Sequence, residues 1–184
     1  MNIERVRERL KRHEAVIPWM YLDTTGHVTV ACGRCLETVA EAKTLPFVDR
    51  TTRLPATPEA IEQGFEKVQA APPGKLARFY RGLSSVDLPT DAIDRILDAD
   101  VVWFWTELQR LLPEVRSYPD HIQEALLDLA YNLGPAGLMA RKNLIAAARK
   151  SDWEAAATLA HRRQVSDDRN KEIAGLFLRQ ETNA

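Results

Sequence analysis

The sequence has no long apolar run, no excess of charge of one sign, and only two cysteines. Since no stretch of about 18 consecutive apolar residues occurs, the sequence encodes no membrane-spanning helix. The 25 basic and 26 acidic residues leave a formal net charge of −1, whereas a dedicated nucleic-acid-binding protein usually carries a basic excess. Any attraction to an anionic partner must therefore be local.

The N-terminal segment also lacks the features of a secretory signal. Met1–Arg12 carries charges at helical spacing, where a signal peptide needs an apolar stretch of about 7–15 residues. We therefore expect a protein made in the cytoplasm without a signal peptide. With 184 residues, 45% of them hydrophobic, the chain is expected to bury a core as one domain, 1–184, which is a monomer.

The two cysteines, Cys32 and Cys35, stand in the run Cys-Gly-Arg-Cys. Such a pair can be redox-active when it opens a helix after a strand, but here it follows an alternating, strand-like run. A zinc site needs about four ligands, and neither a second cysteine pair nor metal-ligand spacing of the histidines is present. We expect two ordinary thiols, no metal and no cofactor, with a redox role as the alternative.

The N-terminal third predicts a helix followed by a β-hairpin. Apolar residues at helical spacing predict a helix over Asn2–Arg12, and Pro18 disfavours its continuation. Met20–Leu22 and His27–Cys32 read as two short strands, and the Asp-Thr-Thr-Gly run between them is typical of a turn.

Helices dominate the remaining sequence. Thr57 and Pro58 are good residues for the start of a helix that Pro72 and Gly74 end, whereas the segment around Leu45–Asp49 looks like loop. Further helices are predicted over Ala92–Leu112, Pro119–Asn132, Gly137–Lys150, Asp152–Arg162 and Asp167–Arg179. The fold class predicted from these elements is α+β, mainly α.

Two stretches of the chain resemble the phage-type lysozymes, family 24 of the glycoside hydrolases. Glu14 and the run Tyr21–Gly33 (YLDTTGHVTVACG) match the family pattern, in which an aspartate follows the glutamate by nine residues and a threonine lies six further on. Ala125–Gly137 looks like the family's central C-terminal helix, and Asp152–Ala156 (DWEAA) looks like its Trp-x-x-Ala-Ala helix. The resemblance covers about residues 2–34 and 90–179.

This resemblance implies a lysozyme-like, two-lobed fold and a set of site residues. The expected parts are 1–88, with the first helix, the hairpin and an extended insert at 36–88, and a helical lobe at 89–184. Glu14 would be the general acid, Asp23 would orient or deprotonate the attacking water, and Thr29 would hold that water. Arg169 looks like the family arginine that supports the glutamate, and Asn132 is our candidate for sugar binding.

The resemblance implies a muramidase that cuts between N-acetylmuramic acid and N-acetylglucosamine in peptidoglycan by inversion. Three residues depart from the family pattern: Ala15 and Ala31 replace glycines, and Arg34 replaces a histidine. They motivate an alternative, a non-catalytic peptidoglycan-binding module on the same fold. A lytic transglycosylase is a further alternative, although Asp23 and Thr29 at the matched spacing argue against it.

Three biological settings fit the resemblance: a phage endolysin, a prophage remnant and a secreted antibacterial effector. A bacteriolytic phage endolysin would reach the periplasm after holin-type release, whereas a secreted antibacterial effector would use a dedicated secretion machine. The run Leu45–Arg50 looks similar to lysozyme-like domains attached to bacterial secretion systems. If the protein is such a toxin, we expect a cognate inhibitor.

Overall fold

The computed structural model describes residues 1–163 and 165–179. These residues form mainly helices, with one three-stranded antiparallel sheet and one two-stranded pair, which confirms the predicted fold class. No described helix is both long enough and apolar enough to cross a membrane. The elements in chain order are α1 (Ile3–His13), β1 (Ile17–Leu22), β2 (Val28–Ala31), β3 (Arg34–Cys35), α2 (Val39–Thr44), β4 (Val48–Asp49), α3 (Pro58–Gln69), α4 (Ala77–Tyr80), β5 (Val86–Asp87), α5 (Thr90–Leu111), α6 (Asp120–Leu133), α7 (Pro135–Ala140), α8 (Lys142–Arg149), α9 (Trp153–Leu159) and α10 (Asp167–Phe177), with 3₁₀ helices at Arg81–Leu83 and Pro113–Ser117.

The chain divides into two compact units, each with its own core. One unit is continuous and runs from Glu14 to Asp98, and the other combines Met1–His13 with Ala99–Ala184. We call them the sheet unit and the helical unit. The predicted organisation, one domain with parts 1–88 and 89–184, stays a prediction.

Helix α6 forms the centre of the helical unit. Ten consecutive residues, His121–Ala130, are buried, because α1 and α10 both pack against this helix. A helix that is enclosed on all sides needs apolar residues around its whole circumference, and the run Ala-Leu-Leu-Asp-Leu-Ala supplies them apart from Asp128. Gly134 ends the helix with a φ of 73°, a conformation that glycine adopts without strain.

Ion pairs fix α1 in the helical unit. Arg9 is buried and donates from Nη2 to Glu124 Oε2 at 3.0 Å and from Nε to Glu172 Oε1 at 3.2 Å. His13 Nε2 lies 2.6 Å from Glu172 Oε2. Burial raises the pKa of Glu172, but the hydrogen bond from His13 and the charge of Arg12 help to bring it below its usual value. The predicted first helix is confirmed.

The sheet unit begins with the predicted hairpin and adds a third strand. In the sheet, β2 lies between β1 and β3, with both pairs antiparallel. The hairpin prediction is confirmed, but β3 was not expected, because two residues are too few to show a strand's period of two. A tight turn at Cys32 and Gly33 connects β2 to β3, and Gly33 takes a φ of 89° there.

The segment between the sheet and α5 is more ordered than the sequence suggested. The start predicted for α3 is confirmed, since Thr57 Oγ1 accepts a hydrogen bond from the amide of Ala60 at 3.2 Å. The loop interpretation of Leu45–Asp49 is wrong at its end, where β4 pairs with β5. Arg50 stabilises this pairing, because its guanidinium makes hydrogen bonds of 2.7 to 3.0 Å with the buried Asp87.

One of the C-terminal helix predictions also needs correction. Gly137–Lys150 was expected to be a single helix, but it lies in two helices, α7 and α8, that are separated at Arg141. Arg141 has a ψ of 64°, which is not helical, and its Nη1 donates to the carbonyls of Leu159 and His161. These tertiary hydrogen bonds are not visible in the local sequence pattern.

Gly64 allows α3 to approach its neighbours closely. A Cβ atom built at this position would meet the Ser84 hydroxyl at less than contact distance and Met20 Cε at 3.0 Å. The residue does not have a positive φ. Space, rather than backbone conformation, therefore requires glycine here.

We expect Gly64→Ala to lower the free energy of unfolding by about 1–3 kcal/mol, because the added methyl overpacks a filled interior. Gly175→Ala in α10 is the matched control, since a Cβ there meets no heavy atom within 4 Å. That variant should be about 0.5–1 kcal/mol more stable, as alanine is the better helix former. Urea unfolding measures both. Equal stabilisation by the two alanines would contradict the close packing at Gly64.

Candidate functional site

Strand β1 positions the three predicted catalytic residues. Glu14 precedes the strand and Asp23 follows it directly, while Thr29 lies on β2 opposite Tyr21 in the antiparallel register. Directly opposed residues of neighbouring strands place their side chains on the same face of the sheet. The sheet unit thus carries Glu14, Asp23 and Thr29 on consecutive short elements.

The carboxylate of Asp23 organises the turn between β1 and β2. Its Oδ1 accepts hydrogen bonds from the amide of Thr25 at 2.8 Å, from the hydroxyl of Thr25 at 2.8 Å and from the amide of His27 at 2.9 Å. Burial raises the pKa of Asp23, but these hydrogen bonds outweigh it and bring the pKa below the usual value. Asp23 is therefore ionised at neutral pH. All three bonds reach one oxygen, so the other can contact a different group.

Tyr21 links the two acidic residues electrostatically. Burial raises the pKa of Tyr21, and the negative charges of Glu14 and Asp23 add to this effect, giving a pKa of about 12. Both carboxylates therefore lie close enough to act on the same phenol. The phenol remains protonated at neutral pH and can donate a hydrogen bond.

The sequence interpretation included Tyr21 in the matching run but gave it no role. The sequence did contain the information that places Tyr21 beside Thr29, because the two predicted strands enclose a four-residue turn. Pairing across that turn brings Tyr21 opposite Thr29. The charge environment of the phenol depends on the path of the chain between Glu14 and β1, which strand periodicity does not specify.

Thr29 is almost completely buried, with 2% of its surface exposed. Its hydroxyl donates to the carbonyl of His27 at 3.1 Å. Because the proton is used in this bond, the oxygen lone pairs are the part of the hydroxyl that can accept a hydrogen bond from another group. This arrangement suits an acceptor for water or for a substrate hydroxyl.

The two cysteines lie at the β2–β3 end of the sheet and form no disulfide with each other. Cys35 lies opposite Thr29 on β3, and Cys32 is buried in the β2–β3 turn. Burial, aided by the negative charge of Asp23, raises the pKa of the Cys35 thiol. A thiol with a raised pKa is a poor nucleophile at neutral pH, which favours the interpretation of Cys35 as an ordinary thiol.

The structure shows the local role of two residues that depart from the family pattern, Ala31 and Arg34. Ala31 ends β2 with a φ of 58°, in the left-handed region that costs a residue with a Cβ about 1–2 kcal/mol. The chain therefore keeps a glycine-type conformation with alanine. Arg34 donates from Nη2 to Glu41 Oε1 at 3.3 Å, which pairs β3 with α2.

The other two predicted site residues belong to the helical unit. Arg169 is buried and donates from Nε to Asp128 Oδ1 at 3.1 Å. Arg162 reaches the same oxygen from Nη1 at 3.4 Å. Burial lowers the pKa of Arg162, and the Asp128 carboxylate opposes that shift.

Asn132 is exposed near the C-terminal end of α6. The neighbouring Tyr131 packs its ring against Phe104 of α5, with the ring centroids 4.9 Å apart. Asn132 is thus accessible, and Tyr131 takes part in packing. Within residues 1–163 and 165–179, no group of three or more His, Cys, Asp or Glu side chains could hold a metal ion.

The mainly helical fold with a short antiparallel sheet is that of a lysozyme-like protein. The family described as Phage lysozyme matches residues 82–183, more than half of the chain, and the chain belongs to this family. Membership supports a peptidoglycan-lytic, lysozyme-like function. The matched segment includes Asn132 and Arg169, whereas Glu14 and Asp23 precede it. No curated protein matches the chain.

Proposed function

We propose that the protein is a muramidase that hydrolyses the β-1,4 bond between N-acetylmuramic acid and N-acetylglucosamine. The observation that carries this proposal is the placement of the acidic residues in the sheet unit, where Glu14 precedes β1, Asp23 follows it, and Thr29 lies opposite Tyr21 on β2. Glycosidic hydrolysis requires two carboxyl groups with different tasks, and membership of a lytic family makes peptidoglycan the substrate class.

The environments of the two carboxyls support different roles. Glu14, which follows α1 and precedes β1 in the chain, is half-buried. It is proposed as the general acid that protonates the leaving oxygen. Asp23 has a lowered pKa because its turn supplies three hydrogen bonds, so it is proposed as the base that activates water. Attack by that water on the opposite face of the sugar would invert the anomeric carbon.

Thr29 and Tyr21 are proposed to position the reacting groups. The Thr29 oxygen can accept a hydrogen bond from the attacking water, because its own proton is donated to His27. The Tyr21 phenol, with a pKa of about 12, can donate to a carboxylate or to a sugar oxygen. The support role of Arg169 and the sugar-binding role of Asn132 stay predictions from the resemblance.

The test is to incubate the purified protein with purified peptidoglycan and to analyse the soluble products by mass spectrometry. Muropeptides with reducing ends are expected, and proton NMR of the first products should show the α-anomer if the mechanism inverts. Anhydro products, which lack one water, would move the assignment to a lytic transglycosylase. Binding to the wall without any product would indicate a non-catalytic module.

Asp23→Asn is expected to lower turnover by about 10²-fold or more while the turn remains folded. Asparagine keeps the acceptor oxygen that Thr25 and His27 require, but it cannot take a proton from water. Asp23→Ala removes both functions and should in addition lower the unfolding midpoint. If Asp23→Asn releases products at the wild-type rate, Asp23 stabilises the turn and has no catalytic role.

The proposed reaction is compatible with two biological settings. Either lysis of a phage host or delivery as an antibacterial effector would use this reaction. The second setting requires a protein that inhibits the enzyme in the producing cell, and pull-down with the purified chain from a cell that encodes it separates the two. Recovery of a stoichiometric inhibitor is expected for an effector and not for an endolysin.

A further inference from the structure

A stretch of the sheet unit, residues 67–86, carries positive charge without any acidic residue. Its basic side chains are Lys67, Lys75, Arg78 and Arg81, and it contains neither Asp nor Glu. The chain as a whole has a formal net charge of −1, so this stretch is a local concentration of positive charge. Such a concentration attracts an anionic partner even when the whole molecule is close to neutral.

The cations in the central part of this stretch are available to such a partner. Lys75, Arg78 and Arg81 are exposed, and none of them forms an ion pair with residues 1–163 or 165–179. The guanidinium of Arg81 instead lies over the Trp19 ring, with 4.8 Å between Cζ and the ring centroid. The acidic residue that follows the stretch, Asp87, is buried and already paired with another arginine.

The same segment exposes two large apolar side chains between its cations. Leu76 is 67% exposed and Phe79 is 47% exposed. The amide of Phe79 donates to the carbonyl of Leu76 at 2.8 Å in the first turn of α4, and residues three apart in a helical turn are neighbours on its surface. Lys75 and Arg78 directly precede the two apolar residues. Exposed apolar residues bordered by polar ones are typical of an interaction surface.

Buried contacts hold the backbone of this segment in place. Tyr80 is fully buried, and its hydroxyl donates to the carbonyl of Pro72 at 2.8 Å, which closes the segment into a loop. Trp19 of β1 donates from Nε1 to the carbonyl of Ala77 at 2.9 Å, and α4 packs against β1. The fold itself therefore holds the two apolar side chains at the surface.

Apolar side chains beside cations without acidic partners are the combination that an anionic bilayer surface binds. Each lysine or arginine close to such a surface strengthens binding about fivefold. Apolar side chains gain free energy when they leave water, and the boundary between headgroups and acyl chains offers that environment. A nucleic acid would bind the cations, but it would not accommodate an aliphatic side chain such as Leu76.

We propose that the segment Lys75–Arg81, which we call the basic apolar loop, is a docking surface for a membrane that contains anionic phospholipids. Leu76 and Phe79 enter the boundary between headgroups and acyl chains, while the three cations of the loop bind lipid phosphates. The loop attaches the protein reversibly to the bilayer surface. The inference does not rest on the proposed function, because none of these residues belongs to the proposed catalytic set.

The test measures sedimentation of the whole chain with lipid vesicles in the absence of peptidoglycan. One set of vesicles contains phosphatidylglycerol and phosphatidylethanolamine in equal amounts, and the other contains phosphatidylcholine alone. Binding to the second set is expected to be at least about tenfold weaker than to the first, and added salt should weaken the binding because it screens the charges. Equal binding to both sets, or no binding to the anionic set, would overturn the docking surface.

Leu76→Ser is expected to weaken binding to the anionic vesicles about fivefold, because serine gains little from leaving water. Leu54→Ser is the matched control, since Leu54 is 65% exposed in the same unit but lies outside the loop. It should bind like the wild type. Both leucines are exposed, so neither variant should change the unfolding midpoint. An equal loss of binding in the two variants, or no loss in Leu76→Ser, would overturn the proposal.

Lys75→Gln combined with Arg78→Gln is expected to weaken binding to the anionic vesicles at least about tenfold. Lys150→Gln combined with Lys171→Gln makes the same change of charge at exposed positions of the helical unit and should have little effect. Equal binding by these two double variants would overturn the proposal. A loss in the loop variant without any loss in Leu76→Ser would show that the loop attracts polyanions in general and does not enter the bilayer, which also overturns it.

Discussion

Glu14→Gln is expected to lower the release of reducing muropeptides by at least about 10³-fold while leaving the unfolding midpoint unchanged. A glutamine amide has almost the shape of a protonated carboxyl group, but it cannot deliver a proton to the leaving oxygen. Glu14 directly follows α1, with two residues between it and β1, and is half-buried, so the change of charge is tolerated structurally. Mass spectrometry of the soluble products over a time course measures the rate.

The matched control for this variant is Glu8→Gln, which makes the same chemical change on the exposed surface of α1. It should digest peptidoglycan at the wild-type rate. If Glu14→Gln also does so, Glu14 is not the general acid, and the family resemblance in the first 34 residues carries no catalytic meaning. A variant that is inactive because it is unfolded would reveal itself through a lowered midpoint.

Asp128→Asn is expected to lower the free energy of unfolding by about 3–5 kcal/mol. Asp128 is fully buried, with 0% of its surface exposed, and it shares its negative charge between Arg162 and Arg169, each 3% exposed. Asparagine keeps the shape of the side chain but leaves the positive charges of two buried guanidinium groups without this carboxylate. Urea unfolding followed by circular dichroism measures the loss.

A double-mutant cycle separates the charge effect from a packing effect. Arg162→Met removes one of the two cations, so in the Asp128→Asn background it should cost much less than in the wild-type protein. Asp91→Asn is the surface control, since its pair with Arg95 is exposed and should contribute little. Additive losses in the cycle would show that Asp128 and Arg162 do not interact energetically.

The parts of the fold that the sequence predicted are those with strong local signals. The Thr57-Pro58 start of α3, the apolar run of α6 and the Asp23 turn each combine a special residue with a clear period, and each is found in the structure. The family resemblance extended these local signals to the fold as a whole. It also suggested Glu14, Asp23 and Thr29, whose roles stay predictions.

The parts that were missed depend on contacts between distant residues. Strand β4 exists because β5 lies beside it and Arg50 bonds Asp87, 37 positions along the chain. The break between α7 and α8 depends on hydrogen bonds from Arg141 to carbonyls 18 and 20 positions away. The electrostatic environment of Tyr21 likewise follows from tertiary structure. No window of neighbouring residues contains this information.

The division of the chain into a continuous and a discontinuous unit has a consequence for biosynthesis. All of the sheet unit, Glu14–Asp98, leaves the ribosome as one uninterrupted segment, so it can acquire its native pairings while translation continues. Helix α1 emerges earlier still, but Arg9 must wait for Glu124, 115 positions later, and then for Glu172 of α10. Such distant contacts form slowly because a long loop must close first. Helix α1 therefore remains without these two partners until α6 and α10 have been synthesised.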